Sequence, residues 1–157
     1  MHALPASKGP PGEGPGASRR PAFGQPPDSS TRLRPRVLLV DDDESTRELY
    51  AWSLRAAGWI VECVASGEDA LLAAPLFEPD VIVMDLRLPV VDGLEATRRL
   101  KASDLTRDIP VVAFSGFDVE QSDSLARQAG CDTFVAKPCP PDDLRAELER
   151  LVMRPTG

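Results

Sequence analysis

The sequence predicts an α/β domain of the doubly wound kind, and three observations carry that expectation. Five short apolar runs, at 37–40, 60–64, 81–84, 111–114 and 133–136, alternate with five helix-like segments. The runs are nearly continuous in Val, Ile and Leu, as strands buried on both faces by covering helices require. Ionisable or hydroxyl residues follow four of the five runs, where open parallel sheets carry their working site.

The helical segments have recognisable ends. The first spans 44–57 and closes at Gly58. Ser66 caps the second, 67–74, and the third, 93–102, follows the turn that contains Pro89. Asp118 caps the fourth, 119–129, which closes at Gly130. The fifth, from 141 to about 153, has Pro141 in its first turn and places Leu144, Leu148, Leu151 and Val152 on one stripe.

The alternating region is preceded by residues 1–35, rich in Pro, Gly and Ser and without apolar periodicity, which read as a disordered tail. The chain thus divides into a tail, 1–35, and one domain, 36–154, a one-domain length for 157 residues. The net charge of −7 is uneven: up to Arg36 there are six basic residues against two acidic ones, so the remainder carries −11. An acidic domain argues against direct nucleic-acid binding, which sets Lys and Arg against phosphates.

Several other classes are disfavoured. No apolar run approaches the roughly 20 residues of a membrane span. The N-terminus has no basic segment leading into an apolar stretch, so a secretory signal is not expected and the cytoplasm is. Cys63, Cys131 and Cys139 lack paired spacing, which suggests neither a disulfide framework nor a zinc site. The single histidine, His2, lies in the tail.

The residues at the strand ends share one chemical logic. Asp41, Asp42 and Asp43 follow the first run, Asp85 the third, Ser115 the fourth and Lys137 the fifth. The second run contributes nothing ionisable, as befits an edge strand. Carboxylates crowded into one pocket repel unless a divalent cation neutralises them or some bind protons. All-oxygen donors favour Mg2+, which often shares a phosphate oxygen. An ammonium and a hydroxyl would satisfy the other oxygens of a phosphoryl group, and a carboxylate can be its acceptor.

The stretches 38–43, 83–93, 113–116 and 134–138, in that order and at those strand ends, resemble the receiver domains of bacterial response regulators. The resemblance covers about 36–153 and is similar to single-domain, chemotaxis-type regulators. It implies a flavodoxin-like five-stranded sheet in the order 2-1-3-4-5. By position, Asp85 corresponds to the phosphoacceptor, and Asp41 and Asp42 to the acidic pair that holds Mg2+ together with Asp85 and the backbone carbonyl of Arg87. Ser115 corresponds to the switch hydroxyl, Lys137 to the lysine that bridges to phosphoaspartate, and Phe134 to the aromatic that turns inward. The Lys137-Pro138 bond is a candidate cis peptide on the same ground.

The implied function is a non-enzymatic receiver of a two-component phosphorelay, with self-phosphorylation from small acyl phosphates and self-dephosphorylation allowed. Its partners would be a sensor histidine kinase or phosphotransfer protein and a downstream protein target, reached through the face of the fourth helix, fifth strand and fifth helix. A phosphorylation-dependent homodimer is compatible with this. Two alternatives stay open. Asp41, Asp43 and Ser45 also fit the nucleophile motif of haloacid-dehalogenase-like phosphatases, with Asp41 as nucleophile. A non-phosphorylated adaptor of the same fold is the other. Cys139, where many relatives have Phe, is expected to act as a small buried apolar residue.

Overall fold

The computed structural model of the chain describes residues 33–153. Most of the expected tail lies outside the described residues. Within them the elements run β1 (Arg36–Val40), α1 (Glu44–Ala56), β2 (Ile60–Val64), α2 (Gly67–Phe77), β3 (Val81–Asp85), α3 (Gly93–Ala102), β4 (Val111–Ser115), α4 (Val119–Ala129), β5 (Thr133–Ala136) and α5 (Pro141–Val152). The five strands are all parallel and lie in the order β2-β1-β3-β4-β5, the flavodoxin-like arrangement implied by the sequence.

Strand period and helix period divide the apolar residues into two layers. Alternate strand positions point to opposite faces. Leu38, Val40, Ile82, Met84, Val111 and Ala113 therefore meet Ala70 and Ala74 of α2, Ala96 and Leu100 of α3, and Ala126 of α4. On the other face Val37, Leu39, Val81, Val83, Val112 and Phe114 meet Tyr50, Ala51 and Leu54 of α1 and Leu144, Leu148 and Leu151 of α5. The expected stripe on α5 is thus its core face, with Val152 half-buried at the margin. The three central strands are buried along almost their whole length, whereas β2 and β5, each with one neighbour, are half-exposed.

The helix starts follow local capping chemistry. Ser66 accepts the Asp69 N–H at 3.1 Å and Asp118 accepts that of Gln121 at 3.3 Å, as expected from sequence. Asp43 caps α1 and Asp92 caps α3 in the same way, accepting from Thr46 and Glu95. Gly58 and Gly130 adopt the left-handed conformation that ends α1 and α4, with φ of 97° and 106°.

One boundary departs from expectation by more than a residue. α2 does not stop at 74 but continues through Pro75 to Phe77, closing on Glu78 in the left-handed region. A proline this near the C-terminus removes one ladder bond and leaves the rest of the last turn intact. Phe77 holds that turn down by packing against the core, with the Arg36 guanidinium 4.4 Å from its ring centroid.

Candidate functional site

The strands deliver their polar residues to one edge. β1 ends one residue before Asp41, whose backbone N–H donates to the carbonyl of Val64 at 3.2 Å and whose side chain is 1% exposed. A short Asx-type turn follows, in which Asp41 Oδ1 accepts the Asp43 N–H at 2.9 Å. That turn leaves Asp42 exposed beside Asp41 and spends the Asp43 side chain on capping α1. The Thr46 bonds also hold the Asp43 carboxyl below the usual carboxylate range.

Asp85 and Ser115 lie within their strands rather than just past them. The register pairs Asp85 with Phe114 and Ser115 with Ala136, so both residues are fixed by ladder contacts and both are buried. Asp85 Oδ1 accepts the backbone N–H of Arg87 at 3.0 Å. The loop that makes this bond returns so tightly that a Cβ on Gly93 would fall 2.1 Å from the Asp85 carbonyl oxygen. Glycine is required there by close approach, not by an unusual φ.

Lys137 supplies positive charge to the carboxylates. Its Nζ donates to Asp41 Oδ2 at 2.7 Å and lies 3.8 Å from Asp85 Oδ2. The backbone that carries it is anchored by Lys137 N–H donating to the Ser115 carbonyl at 3.0 Å, and the following peptide, Lys137-Pro138, is cis. The ammonium also lies 4.9 Å from the Phe114 ring centroid.

One carboxylate oxygen from each of Asp41, Asp42 and Asp85 comes within 4.8 Å of the others. Three hard oxygen donors at this spacing fit a small divalent cation such as Mg2+. Burial pushes the Asp85 carboxyl up to about 6, the Arg87 N–H and Lys137 ammonium draw it down, and the Asp41 and Asp42 carboxylates raise it again. Asp85 is therefore mostly ionised at neutral pH and more basic than an ordinary aspartate.

The structure thus brings together Asp41, Asp42, Asp85 and Lys137, with the Arg87 backbone against Asp85. Ser115 is tied to the cluster by the backbone of Lys137. Phe134 is half-buried on β5, opposite Ala113, and packs on the α2–α3–α4 layer rather than in the acidic edge. Cys139 is half-buried, packs against the other layer and donates to the Pro140 carbonyl at 3.4 Å.

Three residues had no sequence signal. The Arg47 guanidinium donates to the Asp41 carbonyl at 2.7 Å, Glu68 accepts the Val91 N–H at 3.1 Å, and Phe117 lies under the Arg87 guanidinium. Each pairing is long-range or joins a side chain to a backbone atom, so no residue-type pattern announces it.

A doubly wound sheet with an acidic edge and a lysine just past its last strand is the arrangement of a signalling receiver domain. Residues 37–149 match the response regulator receiver domain family, and the chain belongs to it as the receiver domain of a two-component response regulator. It is similar to the polar-differentiation response regulator DivK of Brucella anthropi, 37% identical over 102 residues that make up 65% of this chain and 83% of that protein. Among solved structures it is similar to the receiver domain of a sensor histidine kinase from Pseudomonas aeruginosa, described with magnesium coordinated in its active-site cleft. That match has a TM-score of 0.71 and 33% identity, covering 76% of this chain and 98% of the other. A chemotaxis response regulator of Vibrio cholerae gives a TM-score of 0.71 at 28% identity, with 75% and 98% covered. Among the described residues, no helix is long and apolar enough to cross a membrane.

Proposed function

We propose that Asp85 accepts a phosphoryl group from the phosphohistidine of a sensor histidine kinase or phosphotransfer protein, and that this charge switches the domain's surface toward a downstream protein target. The observation that carries the reading is the convergence of three carboxylates with the Lys137 ammonium set between Asp41 and Asp85. In the transfer, an Asp85 carboxylate oxygen forms a P–O bond as the P–N bond to the donor imidazole breaks, and the imidazole leaves with the electron pair.

The chain's own residues account for the positioning. The Arg87 N–H holds one Asp85 oxygen and so fixes the plane of the carboxylate. The raised basicity of the buried Asp85 carboxylate favours attack. Asp41, Asp42, Asp85 and the Arg87 carbonyl would hold Mg2+, which supplies positive charge for the crowded carboxylate and phosphoryl oxygens. Lys137 and the Ser115 hydroxyl then serve as partners for the phosphoryl oxygens, the added charge being about −1.5 to −2 by analogy with phosphate esters. Movement of Ser115, with Phe134 turning inward behind it on the same sheet face, would bias the α4–β5–α5 surface. The setting is cytoplasmic on this reading, and a homodimer formed on phosphorylation is one readout of that surface.

The phosphatase alternative fits poorly. It needs Asp43 as acid/base, yet that side chain is exposed, occupied by Thr46 and held in its ionised form. An adaptor that is never phosphorylated would have no use for the full set of Asp41, Asp42, Asp85, Ser115 and Lys137. Intact-mass measurement with acetyl phosphate and Mg2+ tests the proposal: the chain should gain one acid-labile phosphoryl group, and Asp85→Asn should gain none. Equal labelling of that variant would refute the assignment.

A further inference from the structure

The loop after Asp85 and the loop after Ser115 are joined by one side-chain contact. The Arg87 guanidinium carbon lies 3.6 Å from the centroid of the Phe117 ring, and both residues are exposed. The guanidinium stacks on a ring although carboxylates converge beside its own backbone, where the Arg87 N–H already touches Asp85 Oδ1 at 3.0 Å.

Phe117 is in turn fastened to the start of α4. Its carbonyl accepts the Ser122 hydroxyl at 2.6 Å, and the Ser122 N–H donates to the Asp118 carbonyl at 2.8 Å. Asp118, between them, is a non-glycine residue at φ 34°, ψ 79°, a sparsely populated conformation that persists only while its surroundings hold it. A displacement of Phe117 that carries its backbone with the ring would therefore reach the strained N-cap of α4.

We propose that the Arg87–Phe117 stack is a latch between the phosphoacceptor loop and α4, opened when a phosphoryl group on Asp85 draws the guanidinium off the ring. The proposal rests on the phosphoacceptor reading of Asp85 and adds a route to α4 distinct from Ser115 and Phe134. The competition is uneven. An exposed cation–π contact is worth about 2–5-fold in an equilibrium constant. A charge-assisted hydrogen bond from guanidinium to a phosphoryl oxygen is worth roughly 10–100-fold. Arg87 lies two residues from the new charge, and its backbone N–H already touches Asp85 Oδ1. Once the guanidinium leaves, the Phe117 ring loses its partner and the Asp118 conformation loses part of its support.

The test is NMR of the whole chain with Mg2+ and beryllium fluoride, a stable mimic of an aspartyl phosphate. Before addition, the Arg87 side-chain protons should lie upfield through the ring current of Phe117. They should sit at unshifted positions in Phe117→Ala, which removes only an exposed ring. With the mimic bound, the wild-type shift should collapse, and amide exchange at Gln121 and Ser122 should change. In Phe117→Ala and Arg87→Ala that response should fall by about 2–5-fold, the worth of the stack. A bound fluoride resonance with Arg87 still upfield, or an undiminished α4 response in both variants, would overturn the latch and leave the Asp85 reading standing. Absence of any bound fluoride resonance would overturn the phosphoacceptor reading and the latch with it.

Discussion

Replacing Asp85 by Asn should stabilise the domain in the absence of divalent cations. The native carboxyl is pushed up to about 6 by burial, against a reference of 3.8, so keeping it ionised costs the folded state free energy. Two units at about 1.36 kcal/mol each set a ceiling near 3 kcal/mol. That shift already contains the attraction of Lys137 at 3.8 Å, and exposed Asp42 leaves the cluster open to solvent on one side, so screening lowers the ceiling. The net gain should therefore be on the order of 1–3 kcal/mol, or about 3–12 °C in Tm for a domain of this size. The amide keeps an oxygen for the Arg87 N–H, so the loop geometry survives.

The sign with pH follows from which state holds the proton more tightly. The folded pKa lies above the unfolded one, so native Asp85 binds the proton more tightly and the penalty is absent below about 4. It grows as pH rises from about 4 to 6 and is constant above that. Thermal melts of both proteins with chelator, at about pH 8 and about pH 4.5, isolate this group because every other carboxylate is common to the pair. The gain should be full at the higher pH and much smaller at the lower. Equal stability at about pH 8, or the same gain at both pH values, would refute the burial argument. Adding Mg2+ should reverse the ranking, since a ligand bound by the folded state raises stability by mass action and the variant offers one carboxylate fewer.

Lys137→Met should cost about 1–3 kcal/mol with chelator present, because it strips the ammonium from a carboxylate that is 1% exposed. Urea unfolding with and without saturating Mg2+ checks it: the loss should shrink with the cation, and an identical loss in both would show that the charge is irrelevant. Gly93→Ala should lose about 3 kcal/mol or more, since the new Cβ would meet the Asp85 carbonyl oxygen at 2.1 Å and the Leu86 Cα at 2.7 Å, backbone atoms that cannot swing aside. A urea midpoint within error of wild type would mean that the loop relaxes freely.

The strands β1, β3 and β4 were legible because a parallel strand buried on both faces must be apolar at nearly every position, and each of the three carries four such residues in a row. The helix caps at Ser66 and Asp118 were legible for a similarly local reason. The end of α2 was not, because Pro75 is a stop signal by its own chemistry and is overruled by Phe77 packing two residues later. Asp41, Asp42, Asp85 and Lys137 could be picked out as a group because all stand at strand ends. Their order of contact could not. That Lys137 sits closer to Asp41 than to Asp85 depends on a backbone bond between β4 and the end of β5, which leaves no mark on residue type.

That order of contact has a mechanistic consequence for the proposed switch. For Lys137 to turn fully to a phosphoryl group on Asp85, its ammonium would weaken a 2.7 Å hydrogen bond to Asp41 in favour of a group carried by a carboxylate now 3.8 Å away. Leaving would strand a buried Asp41 carboxylate, at the same cost of about 1–3 kcal/mol as Lys137→Met if nothing replaced the lost charge. The Asp43 N–H and the turn around it offset only part of this, since they satisfy one of the two Asp41 oxygens. A divalent cation held among Asp41, Asp42 and Asp85 would offset the remainder. On the proposed function, cation and phosphoryl group would act as a pair: a cation held by Asp41, Asp42 and Asp85 would let Lys137 turn from Asp41 toward a phosphoryl group on Asp85. Because the Lys137 N–H is bonded to the Ser115 carbonyl, a shift of Lys137 that moved its backbone would also pull on the strand end that carries the proposed switch hydroxyl.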